Sequence, residues 1–433
     1  MDPFGCVKNQ VDAENMMAFL DGSGWISADE PEPADIIIVN SCGFIESAKQ
    51  ESINAVLNWK KQYPDKKILL AGCLARRYGK QLAASLPEAD ILFGSSDLSE
   101  ITLAAGTAAY CAQTFSSGKR PLLSLPGSAY VKISEGCNNH CSFCAIPLIR
   151  GGLKSRSADE ISAECRTLLD RGVQELCLIG QDTASYGRDF ADSSGEPLEK
   201  LLKAVSRLDG DFWVRLLYMH PDNFPLPILD IMSGDKRFIP YFDIPFQHGS
   251  AKILAAMNRR GGAQTYLDLA ARIRDRLPGA VIRSTFMTGF PGETGADFEQ
   301  LLDFQEKIQL DWLGVFAYSH EEDTPSYSMK GQVSKKTAAA RKRIIEEKQI
   351  PITEKNLGRF VGKTWDILVE ERTETQNSAE VFYLGRLYCQ APEVDGAAVI
   401  IPEEGKALRP GTFIHGLVAK RTGFDLVVKT LRE

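Results

Sequence analysis

The sequence lacks the features of a membrane or secreted protein. No apolar run is long enough to cross a bilayer, and the first residues have neither the basic start nor the apolar stretch of a secretory leader. Ten cysteines among 433 residues are too few for a disulfide-rich scaffold. We therefore expect a cytoplasmic protein that contacts no membrane.

Basic residues are slightly fewer than acidic ones. The chain has 50 Lys and Arg against 57 Asp and Glu, a net charge of −7 and an isoelectric point near 5.5. A protein that binds nucleic acid directly usually carries a basic patch, so this balance is a weak argument against such a substrate. The length predicts two or three domains of about 150 residues each.

The most informative residues are Cys137, Cys141 and Cys144, which follow a predicted strand at 130–133. Iron–sulfur clusters are held by cysteine thiolates and usually take four. Three thiols in one short loop, with no fourth cysteine nearby, indicate a cluster with one iron left open for a small molecule. The alternatives are a zinc site that uses His140, or three buried thiols. Zinc sites favour paired C-x₂-C spacings, which C-x₃-C-x₂-C matches poorly.

The spacing of these cysteines, with Phe143 just before the last one, resembles the signature of the radical S-adenosylmethionine (SAM) superfamily. The resemblance implies that the three cysteines form the catalytic centre and bind a 4Fe–4S cluster whose open iron chelates SAM. It also implies that Phe143 lies near the adenine. An electron from such a cluster splits SAM into a 5′-deoxyadenosyl radical, which removes hydrogen from an unactivated carbon.

The chain divides into three predicted regions, 1–123, 128–357 and 362–433, and the stretch 114–127 reads as a linker. Alternating strand and helix patterns in the first region indicate a small α/β sheet. Its predicted elements are strands at 36–40, 67–72 and 91–94 and a helix at 46–61.

The second region repeats strand–helix units, and Ser157 begins one of the helices with a capping box. Its predicted strands lie at 130–133, 175–179, 213–218, 241–244, 281–287 and 312–318, and a charged helix at 335–356 closes the region. The pattern predicts a parallel barrel or a doubly wound sheet. The radical SAM resemblance favours a partial, six-stranded (β/α) barrel with the cysteine loop after its first strand.

The third region has five short strand patterns, which predict a small antiparallel β-barrel. They lie at 365–369, 381–384, 397–401, 412–418 and 426–428. The region resembles a TRAM domain, a module often attached to RNA-modifying enzymes. It carries nine Lys or Arg against eleven Asp or Glu from Gly362 onward. A barrel that grips RNA should be basic, so we expect this one to bind something else.

A second cysteine set, Cys6, Cys42 and Cys73, is spread over the first region. Cys42 and Cys73 directly follow predicted strands, and loops at the carboxyl ends of parallel strands converge. Spacing alone leaves open whether these are three separate buried thiols. The stretches 5–14, 40–45 and 71–75 resemble the three cluster motifs of the methylthiotransferases. That resemblance implies a second 4Fe–4S cluster, whose open iron carries the sulfur to be inserted. The four remaining cysteines are expected to be buried thiols: Cys111, Cys165, Cys177 and Cys389.

Four stretches resemble the RimO-type group of that family rather than the group that modifies transfer RNA. They lie at 181–187, 241–248, 314–325 and 385–396. The resemblance implies methylthiolation of an aspartate β-carbon on ribosomal protein twelve of the small subunit, with one SAM methylating the sulfur and a second supplying the radical. The expected partners are the free ribosomal protein or the assembled small subunit, and a reductant such as flavodoxin or ferredoxin. Nucleic acid is then contacted only through the ribosome.

Two alternatives to this function stay open. The chain could modify an adenosine in transfer RNA, or it could be a non-catalytic carrier that merely holds two clusters. The acidic terminal barrel and its stretch 391–396 disfavour transfer RNA. A carrier needs neither SAM nor a (β/α) barrel.

Residues near predicted strand ends are the candidates for SAM contacts, because ligands bind at the carboxyl ends of barrel strands. They are Gln181, Gln247, Arg283 and Gly289. Gly289 also fits a simple Pro-Gly turn. His140, His220, His248 and His320 are read as hydrogen-bonding residues, and Glu393 and Asp395 as solvated acids on a loop. Because only four residues precede Gly5, the first sheet is expected to lack the short strand that the family has before its first motif.

Overall fold

The computed structural model describes residues 1–106, 119–191, 196–374, 381–403 and 405–431. Contacts within the chain define two compact units. The first unit comprises Met1–Leu123, Tyr130–Lys154 and Ser319–Tyr327. The second comprises Ser124–Ala129, Ser155–Tyr318 and Ser328–Glu433. Both cysteine sets therefore belong to the first unit.

A parallel four-stranded sheet organises the amino-terminal part of the first unit, with the strand order β1-β2-β3-β4. The strands are β1 (Asp2–Pro3), β2 (Ile36–Ser41), β3 (Lys67–Gly72) and β4 (Ile91–Phe93). The helices are α1 (Val7–Asp21), α2 (Glu46–Gln62), α3 (Cys73–Ser85) and α4 (Ile101–Ala104). The predicted α/β sheet is confirmed, and strands and helix lie where the sequence patterns place them.

The expectation that this sheet lacks a strand before Cys6 is wrong. Asp2 and Pro3 pair in parallel with Val39 and Asn40, and the Phe4 amide donates to the Asn40 carbonyl at 2.8 Å. Two residues suffice because a strand at the edge of a sheet needs partners on one side only.

Both faces of this sheet are buried, as is usual for parallel sheets. Ile37 and Val39 face a core that includes residues of α2 and α3, whereas Ile38 faces residues of α1 and α4. Packing on both faces thus fixes the carboxyl ends of the strands, and the cysteines directly follow these ends.

A six-stranded sheet with the order β12-β11-β10-β9-β8-β5 forms the centre of the chain, and every register described within it is parallel. Its strands are β5 (Ser128–Lys132), β8 (Glu175–Ile179), β9 (Trp213–Leu216), β10 (Phe238–Asp243), β11 (Val281–Thr288) and β12 (Trp312–Ala317). A separate two-stranded sheet pairs β6 (Ser134–Glu135) with β7 (Lys154–Ser155). The sequential order of the six strands is that of the predicted partial barrel.

Helices follow the strands of this sheet in turn. They are α5 (Ile146–Arg150), α6 (Ala158–Asp170), α7 (Pro197–Val205), α8 (Ile228–Gly234), α9 (Ala251–Ala256), α10 (Ala263–Arg276), α11 (Gly295–Ile308) and α12 (Lys335–Leu357). The predicted capping box at Ser157 is present, because its hydroxyl accepts from the Glu160 amide and the Glu160 carboxylate accepts from the Ser157 amide.

The terminal region is a closed five-stranded barrel with the strand order β13-β14-β15-β17-β16. Its strands are β13 (Thr364–Glu374), β14 (Val381–Arg386), β15 (Ala398–Ile401), β16 (Phe413–Thr422) and β17 (Asp425–Thr430). Four strand pairs are antiparallel, as predicted, and the pair β15–β17 is parallel. That parallel pair arises because β16 lies between the two strands in the sequence but not in the barrel.

Buried charges join the barrel to the rest of the second unit. Glu175 accepts hydrogen bonds from Arg215 at 2.8 Å and from Arg386 of β14 at 2.6 Å, and all three side chains are buried. Trp312 also donates to the carbonyl of Cys389 at 2.7 Å. In the described part of the chain no helix is long and apolar enough to cross a membrane.

Candidate functional site

Cys6, Cys42 and Cys73 all lie at the carboxyl ends of neighbouring strands. Cys6 caps the start of α1 just after β1, Cys42 follows β2, and Cys73 is the first residue of α3 after β3. Because β1, β2 and β3 are adjacent and parallel, their ends meet at one edge of the sheet. The structure therefore brings together the three cysteines that the sequence leaves far apart.

Glycines next to these cysteines let the three loops approach one another. A Cβ on Gly5, whose φ is +93°, would lie 2.9 Å from the Cβ of Cys42. A Cβ on Gly43 would lie 2.7 Å from the carbonyl oxygen of Cys73. Both distances are too short for a side chain, so these positions require glycine.

Asn9 ties the same loops together from within. Its side-chain amide donates to the carbonyls of Phe4 at 2.7 Å, Asn40 at 3.2 Å and Ser41 at 3.3 Å, and the Asn40 side chain donates to the Asn9 carbonyl at 2.7 Å. Sequence reasoning did not single out either asparagine. The signal was their place inside the stretches 5–14 and 40–45.

Burial and mutual repulsion disfavour the ionisation of all three thiols at once. Burial, together with the neighbouring Cys6 and Cys73, raises the pKa of Cys42 to about 11. Burial also raises the pKa of Cys73. Around Cys6 desolvation acts in the same direction, but the charges of Lys8 and Arg150 and two backbone amides outweigh it and lower the pKa. A bound cation displaces thiol protons, so such a set is suited to a metal cluster.

The two donor sets consist of thiols alone. All six cysteines of the two sets are free thiols. In an iron–sulfur cube each thiolate binds a different iron. Each donor set therefore fits a 4Fe–4S cluster.

Cys137, Cys141 and Cys144 lie in a loop that backbone hydrogen bonds stabilise. The Cys137 amide donates to the Gly151 carbonyl at 3.1 Å, and the Cys144 amide donates to the Cys141 carbonyl at 3.1 Å. Gly136 has a φ of +67°, and a Cβ there would lie only 2.1 Å from the carbonyl oxygen of Gly152. The loop is thus held at both ends.

Phe143 and His140 lie in the same loop and differ in exposure. Phe143, immediately before Cys144, is half-buried, and His140 is exposed.

Helix α5 joins the two cysteine sets. Ala145 and Ile149 pack against Cys73 in one buried cluster. Arg150, at the end of α5, donates from Nη2 to the sulfur of Cys73 at 3.2 Å. Its Nη1 also pairs with Asp12 at 2.9 Å and with Glu135 at 2.8 Å. Sequence reasoning missed Arg150, since an arginine after I-P-L-I has no signal of its own.

The segment Ser319–Tyr327, which we call the strap, also belongs to the first unit. Its buried Glu321 pairs with Lys49 at 3.1 Å and with Arg77 at 3.0 Å. The Ser326 amide donates to the carbonyl of Ser142, between two of the cysteines, at 2.8 Å. The strap therefore contacts both the amino-terminal helices and the cysteine loop.

The candidate SAM contacts other than Phe143 lie in the second unit, three of them at strand ends. Gln181 follows β8, Gln247 follows β10 and Gly289 follows β11. Gln247 has a φ of +69°, and its buried Oε1 accepts no hydrogen bond within the described chain. Arg283 lies near the start of β11 instead, 3.5 Å from Asp243.

Gly289 has a structural role in its turn. Its amide and that of Phe290 donate to the carboxylate of Glu293, which also pairs with Arg341 at 2.8 Å. A Cβ on Gly289 would lie 2.3 Å from the Cβ of Ala338. The turn accounts for the glycine, and its contact with SAM stays a prediction.

Two of the histidines are hydrogen-bond acceptors in buried surroundings. Burial lowers the pKa of His248 to about 3 and, with the charge of Arg259, that of His220 to about 4. Nδ1 of His248 accepts from the Ser250 amide, and Nδ1 of His220 accepts from the Asp222 amide. Both are neutral near pH 7, as hydrogen-bonding residues.

Asp395 corrects one expectation, because it is not a solvated acid. Its side chain is 1% exposed, and it accepts from the hydroxyl of Tyr241 at 2.6 Å and from the Ala391 amide at 2.8 Å. Burial raises its pKa. Glu393 is exposed as expected. Cys165, Cys177 and Cys389 are buried, and Cys111 lies outside the described residues, as does part of the predicted linker.

Three family models match the chain. Residues 1–94 match the Uncharacterized protein family UPF0004, residues 131–304 the Radical SAM superfamily, and residues 361–430 the TRAM domain. These matches follow the order of the three predicted regions.

Similar proteins span the whole chain. A ribosomal protein uS12 methylthiotransferase RimO from Treponema denticola is 46% identical over 98% of this chain and 99% of its own length. The protein of the same name from Syntrophomonas wolfei is 40% identical over 98% of this chain and 97% of its own.

Among solved structures, the radical SAM methyltransferase TsrM from Kitasatospora setae is similar in fold. The TM-score is 0.50 at 13% identity, over 67% of this chain and 64% of that one.

Proposed function

The chain belongs to the RimO family of ribosomal protein methylthiotransferases, and from that membership we propose that it transfers a methylthio group to ribosomal protein uS12. The proposed acceptor is an aspartate β-carbon, one hydrogen of which is replaced by the methylthio group. The single observation that carries the proposal is the pair of three-thiol sets within one compact unit. One set alone would account for radical formation but not for a sulfur donor.

We assign the two sets different tasks. Cys137, Cys141 and Cys144 would hold the cluster that supplies the electron for SAM cleavage, and Cys6, Cys42 and Cys73 would hold the cluster that presents the sulfur to be transferred. The chain itself keeps each loop in place through glycine contacts, the Asn9 hydrogen bonds and the strap. Phe143, Gln181, Gln247, Gly289 and Arg283 are the proposed SAM contacts, of which Gln247 offers a free buried acceptor within the described residues.

The proposed setting follows from this chemistry. A one-electron reductant such as flavodoxin or ferredoxin supplies the electron, and the enzyme works in the cytoplasm on the free protein or on the assembled small subunit. Nucleic acid is contacted only through the ribosome. The proposed domain limits are 1–123, 128–357 and 362–433.

The substrate is tested by offering two acceptors to the same enzyme. The reconstituted, reduced protein is incubated without oxygen with SAM and sulfide, together with either small ribosomal subunits or bulk transfer RNA. Mass spectrometry then searches uS12 peptides and digested nucleosides for a methylthio group. The proposal predicts a modified aspartate in uS12 and unmodified nucleosides.

Two variants serve as controls for this assay. Cys137→Ala should abolish the product, whereas Cys165→Ala, outside both sets, should retain it. A modified nucleoside with unmodified uS12 would mean that the substrate is transfer RNA. Absence of both products, with no 5′-deoxyadenosine formed, would favour a cluster carrier.

A further inference from the structure

Arg150 links a ligand of one proposed cluster to the loop of the other. It lies six residues after Cys144, at the end of α5, yet its Nη2 donates to the sulfur of Cys73 at 3.2 Å. Its side chain is 2% exposed. The contact is therefore shielded from water.

Two carboxylates orient the guanidinium. Asp12 of α1 forms an ion pair with Nη1 at 2.9 Å, and Glu135 of β6 accepts a hydrogen bond from the same nitrogen at 2.8 Å. Nη1 is thus occupied by carboxylates, and Nη2 is directed at the sulfur. A planar guanidinium can make both contacts at once, whereas an ammonium group is a point charge that cannot reproduce the fork.

Lys132 provides an internal comparison. It pairs with the same two carboxylates, with Glu135 at 2.6 Å and with Asp12. Lys132 and Arg150 therefore both neutralise this pair, but it is Arg150 that carries the hydrogen bond to Cys73. Replacing each residue separates the effect of the ion pairs from the effect of the hydrogen bond to sulfur.

A hydrogen bond to a cluster thiolate changes the electronic properties of the cluster. Hydrogen bonds to the sulfurs are among the factors that set iron–sulfur reduction potentials, and the partners of metal ligands orient those ligands. A cationic donor stabilises the more negative, reduced state more than the oxidised state. The potential of the first-set cluster should therefore rise when Arg150 is in place.

We propose that Arg150 is a positioning residue that raises the reduction potential of the cluster bound by Cys6, Cys42 and Cys73. The inference rests on the proposed function, since it requires that these cysteines hold a cluster.

The test measures the potential of one cluster at a time. The parent protein is the full chain with Cys137, Cys141 and Cys144 changed to alanine, reconstituted with iron and sulfide. Arg150→Lys and Lys132→Gln are each introduced into this parent. Reductive titration with dithionite and mediators, followed by electron paramagnetic resonance, gives the midpoint potential, and iron analysis gives the occupancy.

The expected result is a lower potential for Arg150→Lys. At the midpoint potential of the parent, the ratio of reduced to oxidised cluster should fall about tenfold, equivalent to about 59 mV for one electron. Lys132→Gln should change this ratio much less. Loss of iron from Arg150→Lys alone, with a folded far-ultraviolet circular dichroism spectrum, would also support a positioning role.

Other outcomes overturn the inference. An unchanged potential in an iron-loaded Arg150→Lys protein contradicts it and leaves the proposed function intact. Equal changes in Arg150→Lys and Lys132→Gln would assign the effect to the ion pairs rather than to the hydrogen bond. If the parent protein itself binds no iron, the second cluster of the proposed function is wrong, and the inference falls with it.

Discussion

Asn9 shows at the residue scale how the loops of the first cysteine set are held together. One buried side chain satisfies backbone carbonyls from the loop before α1 and from the end of β2. Cys6 and Cys42 lie in these same two loops. The cysteines thus provide the sulfur ligands, while the neutral side-chain amide of Asn9 holds their loops in position.

Replacing Asn9 should affect the first cluster and spare the second. Asn9→Ala removes the donor that three backbone carbonyls share, and each group left unsatisfied costs about 1–3 kcal/mol. After reconstitution, bound iron should fall from about eight to about four atoms per chain, as expected for one remaining 4Fe–4S cluster. Asn54→Ala, at an exposed position of α2, is the matched control and should bind as much iron as the original chain. Full iron binding by Asn9→Ala would refute the role given to this residue.

Gly43 tests the close approach of the loops. Gly43→Ala would place a Cβ 2.7 Å from the Cys73 carbonyl oxygen, so the loops must separate. We expect lower iron occupancy and a loss of thermal stability. Gly79→Ala is the matched control, because its Cβ meets nothing within 4 Å and it lies inside α3, where alanine favours the helix by up to about 1 kcal/mol. Equal behaviour of the two variants would contradict the account.

At the scale of elements, β8 depends on a strand of the terminal barrel. Glu175 opens β8, and its carboxylate is bound by Arg215 of β9 and Arg386 of β14. Burial alone would raise the pKa of Glu175, but the charges of Arg386 and Arg215 lower it to about 2. The buried ion pairs therefore stabilise the fold only while Glu175 is ionised.

The stability of the second unit should depend on pH through Glu175. Glu175→Gln should lower the free energy of unfolding by about 3–5 kcal/mol at pH 7, because it removes the carboxylate that the buried Arg215 and Arg386 share and leaves Arg386 with Glu370 alone. The folded pKa lies below the ordinary value of 4.5. The difference between original and variant is then complete above about pH 4.5 and shrinks as the pH falls toward 2.

Urea unfolding of the cluster-free proteins between pH 7 and pH 3 measures this difference. Glu199→Gln, which breaks a pair with the exposed Lys203, should cost no more than about 1 kcal/mol and serves as the control. A gap between Glu175→Gln and the original chain that stays constant down to pH 3 would rule out this assignment.

At the scale of the whole molecule, local patterns predicted the architecture well. Buried parallel strands such as β3 and β8 are continuous apolar runs, and they begin and end where the sequence indicated. The cysteine sets were predicted because thiols are rare and their spacing is informative. The sequence carries no comparable signal for Arg150, Glu321 or Asp395, whose roles depend on contacts between distant segments.

The terminal barrel shows where counting charges is misleading. Its small acidic excess includes Glu370 and Asp395, which are buried against Arg386 and Tyr241 and do not face a partner. A composition count cannot separate such side chains from surface ones. The choice between a protein and an RNA substrate therefore rests on family membership and on the assay, not on the charge of this barrel.

The division of labour between the two cysteine sets is the central claim, and one reaction tests it most directly. The reduced enzyme is given SAM, sulfide and small ribosomal subunits, and both 5′-deoxyadenosine and methylthiolated uS12 are quantified. A variant with Cys6, Cys42 and Cys73 changed to alanine should still form 5′-deoxyadenosine but no methylthio product, whereas Cys137→Ala should form neither. Methylthiolated uS12 from the first variant, or 5′-deoxyadenosine from the second, would contradict the account.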